Sequence, residues 1–309
     1  MSDIPIIDLS SSRAGEPLAQ AIGDACRGIG FFYVVGHGVA PTLIQRVFAA
    51  AAAFFARPLT EKMAVALTPQ SGFRGYFPIE GEITDPAVGA DPKEGFDIAG
   101  EIVSDLPSAA PLRAPNRYPA NPPELREVLS TYYDTMCELG RTVSAGFAMA
   151  LDLPADFFAD KLDHPTAILR ILHYPPVDPA ALAGDLPVNG CGAHSDYGYL
   201  TILAQDAQGG LQIQTRAGEW IDAPYVADSF ICNIGEMMAL WTGGAFRATP
   251  HRVIRRKPQS RYSIPFFFHP NPDARIASLP NAGAAAWAPV LAGDYLLGRL
   301  QGAYNPPPV

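Results

Sequence analysis

The sequence predicts a mixed α and β fold, with helices in the first half of the chain and an antiparallel β-sandwich or barrel in the second. Three observations carry this prediction. Leu125, Val128, Leu129, Tyr132, Met136, Leu139, Val143 and Phe147 trace one face of a helix of about eight turns. Beyond about Ala167 the texture changes to short apolar runs broken by turns, "AILRILHY", "YLTILAQ", "LQIQT", "EWIDA", "SFICNIG", "HRVIRR" and "YSIPFFF", the spacing of antiparallel strands. The hydrophobic content, 48% of 309 residues, is ample for a sizeable buried core.

The chain opens on an extended segment, "IPIIDL". From Pro17 to Ile29, Leu18, Ile22, Cys26 and Ile29 recur at helical spacing, and Gly28 and Gly30 suit the helix end. A strand, "FFYVV", follows. The next helix begins at Pro41, a residue favoured in the first turn, and runs through the alanine-rich "VFAAAAAFFA" to Pro58. From Ser71 to Pro119 the sequence is rich in Gly, Pro and Asp without a sustained period, which predicts a long irregular excursion of the kind found over binding sites. Asn121 and Pro122 then supply the cap and first turn of the long helix. "TRAGEW" makes a hairpin turn among the strands, and a last helix spans Leu291 to Tyr304. One compact unit is expected: an N-terminal helical and irregular region over 1–120, a packing helix and connection over 121–162, a β core over 163–273, and a helix and tail over 274–309.

A net charge of -9, with no basic block beyond Arg255, Arg256 and Lys257, disfavours nucleic acid or an anionic membrane as partner and leaves small molecules. The start, "MSDIPIIDLS", carries an acid where a signal peptide needs a basic region, and no apolar run approaches the roughly 18 residues that span a bilayer. A cytoplasmic protein, monomeric or weakly oligomeric, is expected. Cys26, Cys137, Cys191 and Cys232 are scattered without a C-x-x-C pair, which implies reduced, buried thiols.

The stretch "CGAHSDYGYL" places His194 and Asp196 one residue apart. On a strand, residues i and i+2 share a face, so the pair offers half of a metal site or an ordinary hydrogen-bonded pair. Five other histidines compete to complete it. His37 in "VVGHGV" reads as a turn residue and His164, before a proline, as a loop residue. His173 alternates with Tyr174, so only one of the two faces inward. His251 in "ATPHRVI" opens an apolar strand, as His194 does, and His269, in phase with Arg261, is its rival. Arg261 and Ser263 form a second i, i+2 pair, and a guanidinium fork beside a hydroxyl matches a carboxylate. Two histidines and one carboxylate leave metal positions open, as in non-haem iron(II) oxygenases. Zinc is the competing ion, but a zinc hydrolase has no use for an arginine poised to hold a diacid.

"HSDYGYLTILAQDAQGGLQI", then "PHRVI", then "RYSIPFF" ten residues past His251, resembles the iron(II)/2-oxoglutarate-dependent dioxygenases of the isopenicillin N synthase-like family. "IPIIDLS", "CRGIGFFYVVGHGV" and "LRILHYPP" resemble other parts of that family, so the likeness covers most of the chain. It implies a distorted double-stranded β-helix, or jelly roll, with flanking helices. It also implies that His194, Asp196 and His251 bind Fe(II), which removes the rival claim of His269. Arg261 and Ser263 would hold the distal carboxylate of 2-oxoglutarate, and Tyr174 would hydrogen-bond this cosubstrate. Leu172 stands where plant members often carry asparagine. The implied activity uses O2 to hydroxylate an unactivated C–H bond of a small molecule, with release of succinate and CO2. The alternatives are a family oxidase acting without 2-oxoglutarate, by ring closure or desaturation, and a jelly-roll binding protein without catalysis. For the prime substrate, "SGFRGYFPIEGE" offers Phe73, Arg74, Tyr76 and Phe77 as a wall over the site, and Phe268 follows the R-x-S strand. Lys93, Glu94 and Asp97 in "DPKEGFD" either join the site or pin the loop.

Overall fold

The computed structural model describes residues 4–10, 16–100, 107–120, 124–184, 187–279 and 288–304. Strand β1 (Ile6–Asp8) and helix α1 (Glu16–Arg27) lead into β2 (Phe31–Val35), α2 (Pro41–Phe55) and the short α3 (Leu59–Met63). Strands β3 (Gly75–Phe77) and β4 (Glu94–Ala99) precede the long helix α4 (Glu124–Ala150). Then come β5 (Ile168–Tyr174), α5 (Pro179–Leu182), β6 (Val188–His194), β7 (Leu200–Gln205), β8 (Leu211–Gln214), β9 (Trp220–Asp222) and β10 (Phe230–Ile234). The chain continues through α6 (Glu236–Trp241), β11 (His251–Arg255), β12 (Arg261–Phe268), a small pair β13 (Arg275–Ile276) and β14 (Val290–Leu291), and α7 (Ala292–Tyr304).

Eight strands form one sheet in the order β1-β2-β10-β7-β12-β5-β4-β3, and four form a second in the order β6-β11-β8-β9. Apart from the parallel β1–β2 pair, the neighbours in both are antiparallel. Alternate residues of the large sheet go to opposite faces, and both faces are covered. Phe31, Tyr33, Leu172, Tyr174 and Ile231 pack against Cys191, Leu211, Ile213 and Val253 of the small sheet, which closes the two into the expected jelly roll. Phe32, Ile171, Ile202, Ile264, Phe266 and Phe268 point the other way, into a core shared with α1, α2 and α4. α4 buries the predicted stripe from Leu125 to Phe147. Its expected cap, Asn121 and Pro122, lies outside the described residues. Among the described residues no helix is long and apolar enough to cross a membrane.

Two expectations are corrected. The segment from Ser71 to Pro119 is not wholly irregular, because β3 and β4 extend the large sheet within it. Every residue of β4 is buried, so the strand shows no polar alternation, and its charges are neutralised by distant partners: Glu94 by Lys62 at 2.6 Å and Asp97 by Arg170 at 2.8 Å. α2 stops at Phe55 rather than reaching Pro58, since a proline disfavours helical geometry in the residue before it, and α3 restarts at Leu59.

The register of β12 sets which of its side chains reach the interior between the sheets. Phe268 faces α4, where a Cβ at Gly140 would lie 2.7 Å from its ring, while Phe267 faces the opposite side. Phe268→Ala should therefore lower the unfolding free energy by about 3–5 kcal/mol. Phe267→Ala should cost clearly less, and urea titration of the two variants checks the difference.

Candidate metal centre and its cavity

Antiparallel pairing of β11 with β6 sets His251 directly opposite His194, with ring centroids 4.3 Å apart. His194 closes β6 rather than opening a strand, and Asp196 lies beyond it in the link to β7. The pair therefore meets through a turn, not through the shared strand face that its spacing suggests. One ligand atom from each of His194, Asp196 and His251 lies within 4.8 Å of the other two.

Their surroundings fix how the three side chains point. His194 Nδ1 lies 2.9 Å from the Gly192 carbonyl and His251 Nδ1 3.2 Å from that of Thr249. Each Nδ1–H is thus donated to backbone, which leaves the Nε2 lone pair free. The two Nε2 atoms stand 3.8 and 3.7 Å from Asp196 Oδ1. Asp196 Oδ2 accepts from Asn233 Nδ2 at 2.6 Å and from Thr201 Oγ1, two residues paired across β10 and β7. Burial pushes the Asp196 pKa up, but His251, His194 and these hydrogen bonds more than offset it and hold the carboxyl below its ordinary value. Burial, reinforced by His194, brings His251 down to about 4. One carboxylate oxygen and two Nε2 atoms thus converge, a donor set that fits a divalent metal with positions left open.

Arg261 lies deeper along the cavity and is 1% exposed. Its Nε donates to the Gly209 carbonyl at 2.7 Å and its NH1 to Ser263 Oγ at 3.1 Å, and the guanidinium lies 4.7 Å from the Tyr174 ring centre. Among the described residues no carboxylate pairs with it. A buried cation of this kind is costly until an anion joins it. Tyr174 and Leu172 face the same space, and His173 points away, stacked between Phe55 and Tyr262.

A second polar cluster forms another wall of the cavity. Arg170 holds Asp97 through two bonds of 2.8 Å and reaches Glu82 at 3.1 Å, with its guanidinium 4.8 Å from the Phe77 ring centre. Lys93 joins Glu82 at 3.0 Å and also donates to Asp91 and to Cys191 Sγ. Burial raises the Glu82 carboxyl, but Arg170 and Lys93 pull it well below its ordinary value. Phe267, Ile168, Leu296 and Leu300 add apolar surface. Glu236 ties this side together, accepting from Ser195 Oγ at 2.7 Å, within the ligand turn, and from Tyr295 and Arg299 of α7.

Of the expected substrate residues, Phe73 lines the cavity and Arg74, Tyr76 and Phe268 do not. Arg74 donates instead to the carbonyls of Gly100 and Leu112, both at 2.8 Å, so it clamps two backbone segments. Tyr76 donates to Glu94, which also binds Lys62 and His173 on the helix side of the sheet. Phe268 is displaced from the cavity by strand parity, and Phe267 takes the place expected of it. Lys93 and Asp97 do line the cavity. His37 bonds the Asp228 carbonyl in a turn, and His269 lines the cavity outside the three-residue set. Sequence reasoning missed Thr201, Asn233, Glu82, Arg170 and Phe267. For Arg170 and Phe267 a signal existed, since they share strand parity with Tyr174 and Arg261.

Comparison with known proteins gives the same picture. Residues 4–121 match the family described as "non-haem dioxygenase in morphine synthesis N-terminal", and residues 165–270 match the "2OG-Fe(II) oxygenase superfamily". The chain is 33% identical to the homoarginine-6-hydroxylase 2-ODD-233 of Oryza sativa subsp. japonica, over 96% of each chain. It is 35% identical to the 2-oxoglutarate-Fe(II) type oxidoreductase hxnY of Emericella nidulans, over 97% of this chain and 90% of that one. Among solved structures it superposes on a full-length Neurospora crassa protein in complex with alpha-KG and thymine with a TM-score of 0.86, at 30% identity over 97% and 96% of the two chains. The chain belongs to the 2OG-Fe(II) oxygenase superfamily and is an iron(II)- and 2-oxoglutarate-dependent dioxygenase.

Proposed function

We propose that His194, Asp196 and His251 hold the iron(II), that Arg261 and Ser263 bind the distal carboxylate of 2-oxoglutarate with Tyr174 beside them, and that the protein hydroxylates a small molecule in the chamber beyond. The observation that carries this reading is the buried Arg261, fixed by Gly209 and Ser263 and, among the described residues, left without a carboxylate partner in the cavity that holds the three-residue ligand set. The likeness to 2-oxoglutarate-Fe(II) oxidoreductases favours a diacid cosubstrate on this cation over the oxidase reading, and a binding protein has no need of the ligand set.

When bound, the iron supplies oxygen activation coupled to oxidative decarboxylation of 2-oxoglutarate, the step that yields succinate and CO2. The chain's own residues position the reactants. Thr201 and Asn233 hold Asp196 Oδ2 so that Oδ1, turned toward the two Nε2 atoms, would be free to bind the metal, and the carbonyls of Gly192 and Thr249 fix the two imidazole tautomers. Arg261 and Ser263 orient the cosubstrate along β12. Phe267, Leu296 and Leu300 exclude water from the side where the target C–H bond lies.

Homoarginine in the name of one relative and thymine bound to another are small polar molecules, a class suited to a wall that mixes paired charges with apolar surface. The net charge of -9 supports a small-molecule partner over nucleic acid. Four buried free cysteines support a reducing, cytoplasmic setting.

His194→Ala and Asp196→Ala should each abolish iron(II) binding and substrate-dependent succinate formation; full turnover by either variant contradicts the assignment. Asn233→Ala should keep the fold and weaken iron(II) binding by about 10- to 100-fold, because the ligand oxygen loses its brace. Metal titration checks this. Arg261→Ala should weaken 2-oxoglutarate binding by about 2–5 kcal/mol, the cost of removing one partner of a buried charge pair. An unchanged cosubstrate requirement shows that the clamp lies elsewhere.

A further inference from the structure

We propose that His269 is a specificity-determining residue of this oxygenase, its Nε2–H donating a hydrogen bond to an oxygen acceptor, a carbonyl or carboxylate, on the prime substrate beside the metal. This rests on the reading of the metal centre and the 2-oxoglutarate clamp given above.

His269 follows β12 directly and keeps the parity of Arg261, Ser263 and Phe267, so its ring lines the cavity although the residue is only 4% exposed. Its position is built rather than incidental. A Cβ at residue 198 would lie 2.0 Å from His269 Nδ1 and 2.1 Å from Cε1, so only the glycine at this position admits the ring. Gly198 stands two residues past Asp196, which brings the imidazole within electrostatic reach of that carboxylate.

Unlike the other buried or half-buried histidines, this one has no hydrogen-bonding partner among the described residues. His37, His173, His194 and His251 each bond a named oxygen through a ring nitrogen. His269 Nδ1 is buried with no hydrogen-bonding partner, and among the described residues none bonds Nε2. A buried N–H without an acceptor is rarer in proteins than an unsatisfied lone pair. The proton therefore belongs on Nε2, the ring's other polar atom, and Nδ1 keeps its lone pair against Gly198.

The acceptor is not 2-oxoglutarate. Arg261 and His269 stand at opposite ends of β12, and at roughly 3.3 Å per residue their backbones are about 25 Å apart along the strand. A five-carbon diacid held by Arg261 does not also reach His269. What faces His269 is the other part of the cavity, where Phe267, Ile168, Leu296 and Leu300 offer no hydrogen bond. The cations of the neighbouring wall, Arg170 and Lys93, are already paired with carboxylates, so an unpartnered donor near the metal discriminates strongly, because a substrate lacking the acceptor leaves that donor unpaired. The ligand class is a small molecule with an apolar or planar body and an oxygen acceptor close to the carbon presented to the metal.

The test uses the full chain, loaded anaerobically with iron(II) and 2-oxoglutarate, and follows the visible charge-transfer band of the chelated keto acid. Thymine, L-homoarginine and 4-methylbenzoate are the acceptor-bearing probes, and toluene is the probe without an acceptor. In the wild-type protein at least one acceptor-bearing probe should shift the band. His269→Phe should weaken that probe by about 10-fold, the loss of one hydrogen bond, and leave toluene within about two-fold. His269→Gln, whose amide keeps an N–H, should recover most of the affinity. The inference is overturned if no acceptor-bearing probe shifts the band, if His269→Phe binds the probe within about two-fold of wild type, or if the glutamine variant fails as fully as phenylalanine. If the band itself does not form, the reading of the metal and clamp falls and takes this inference with it. If the band forms but the probes do not discriminate, this inference alone falls.

Discussion

The antiparallel pairing of β6 with β11 is the constraint on which the centre depends. It brings two imidazoles to a ring-centroid separation of 4.3 Å from segments 57 residues apart in sequence, and the link from β6 to β7 then carries Asp196 Oδ1 to within 3.8 Å of both Nε2 atoms. Sheet register is specified by burial on both sides, since a one-residue slip would turn Cys191 and Val253 out of the core and the two histidines out of the cavity. The same packing that stabilises the jelly roll therefore aligns the ligand atoms, without a separate device for the metal. Register in the large sheet does comparable work. Thr201 and Asn233 are cross-strand partners, so both reach one carboxylate oxygen and leave the other facing the two histidines.

Electrostatics divides the cavity into two regions with different tasks. Around Tyr174 the buried cation Arg261 has hydroxyl, carbonyl and aromatic neighbours but, among the described residues, no anion, a cost that binding of a diacid would offset. On the other wall Arg170 and Lys93 are matched by Glu82, Asp97 and Asp91, so that cluster is already paired. Charge alone thus distinguishes the proposed cosubstrate end of the cavity from the proposed prime-substrate end. Glu236 joins the two tasks mechanically, because it holds both Ser195 in the ligand turn and the helix that covers the chamber.

Much of this is legible in the sequence, and the reasons differ by element. The stripe along α4 and the short apolar runs after Ala167 are local patterns, and local patterns report secondary structure directly. His194, Asp196, His251, Arg261 and Ser263 stand out as candidates in the sequence because each motif is a few residues long and the chemistry of the set is restrictive, and they line one cavity. β4 is not, because its polar residues look like loop and their neutralising partners, Lys62 and Arg170, come from distant segments. Thr201 and Asn233 are hidden for the same reason, as strand pairing alone brings them to Asp196. Phe268 is suggested by its nearness in sequence, although the parity that aligns Arg261 with Ser263 already selects Phe267. Arg74 and Tyr76 read as an exposed wall, whereas their polar groups bind backbone and Glu94 inside the protein.

The central claim is that one cavity holds iron at the three-residue set and 2-oxoglutarate between that metal and Arg261. Anomalous diffraction at the iron edge, from crystals grown anaerobically with iron(II) and 2-oxoglutarate, tests it most directly. One iron peak is expected, bonded to His194 Nε2, Asp196 and His251 Nε2, with the distal carboxylate of 2-oxoglutarate on Arg261 and Ser263. Iron bound elsewhere, or a diacid carboxylate seated on Arg170 or Lys93 instead, would contradict it.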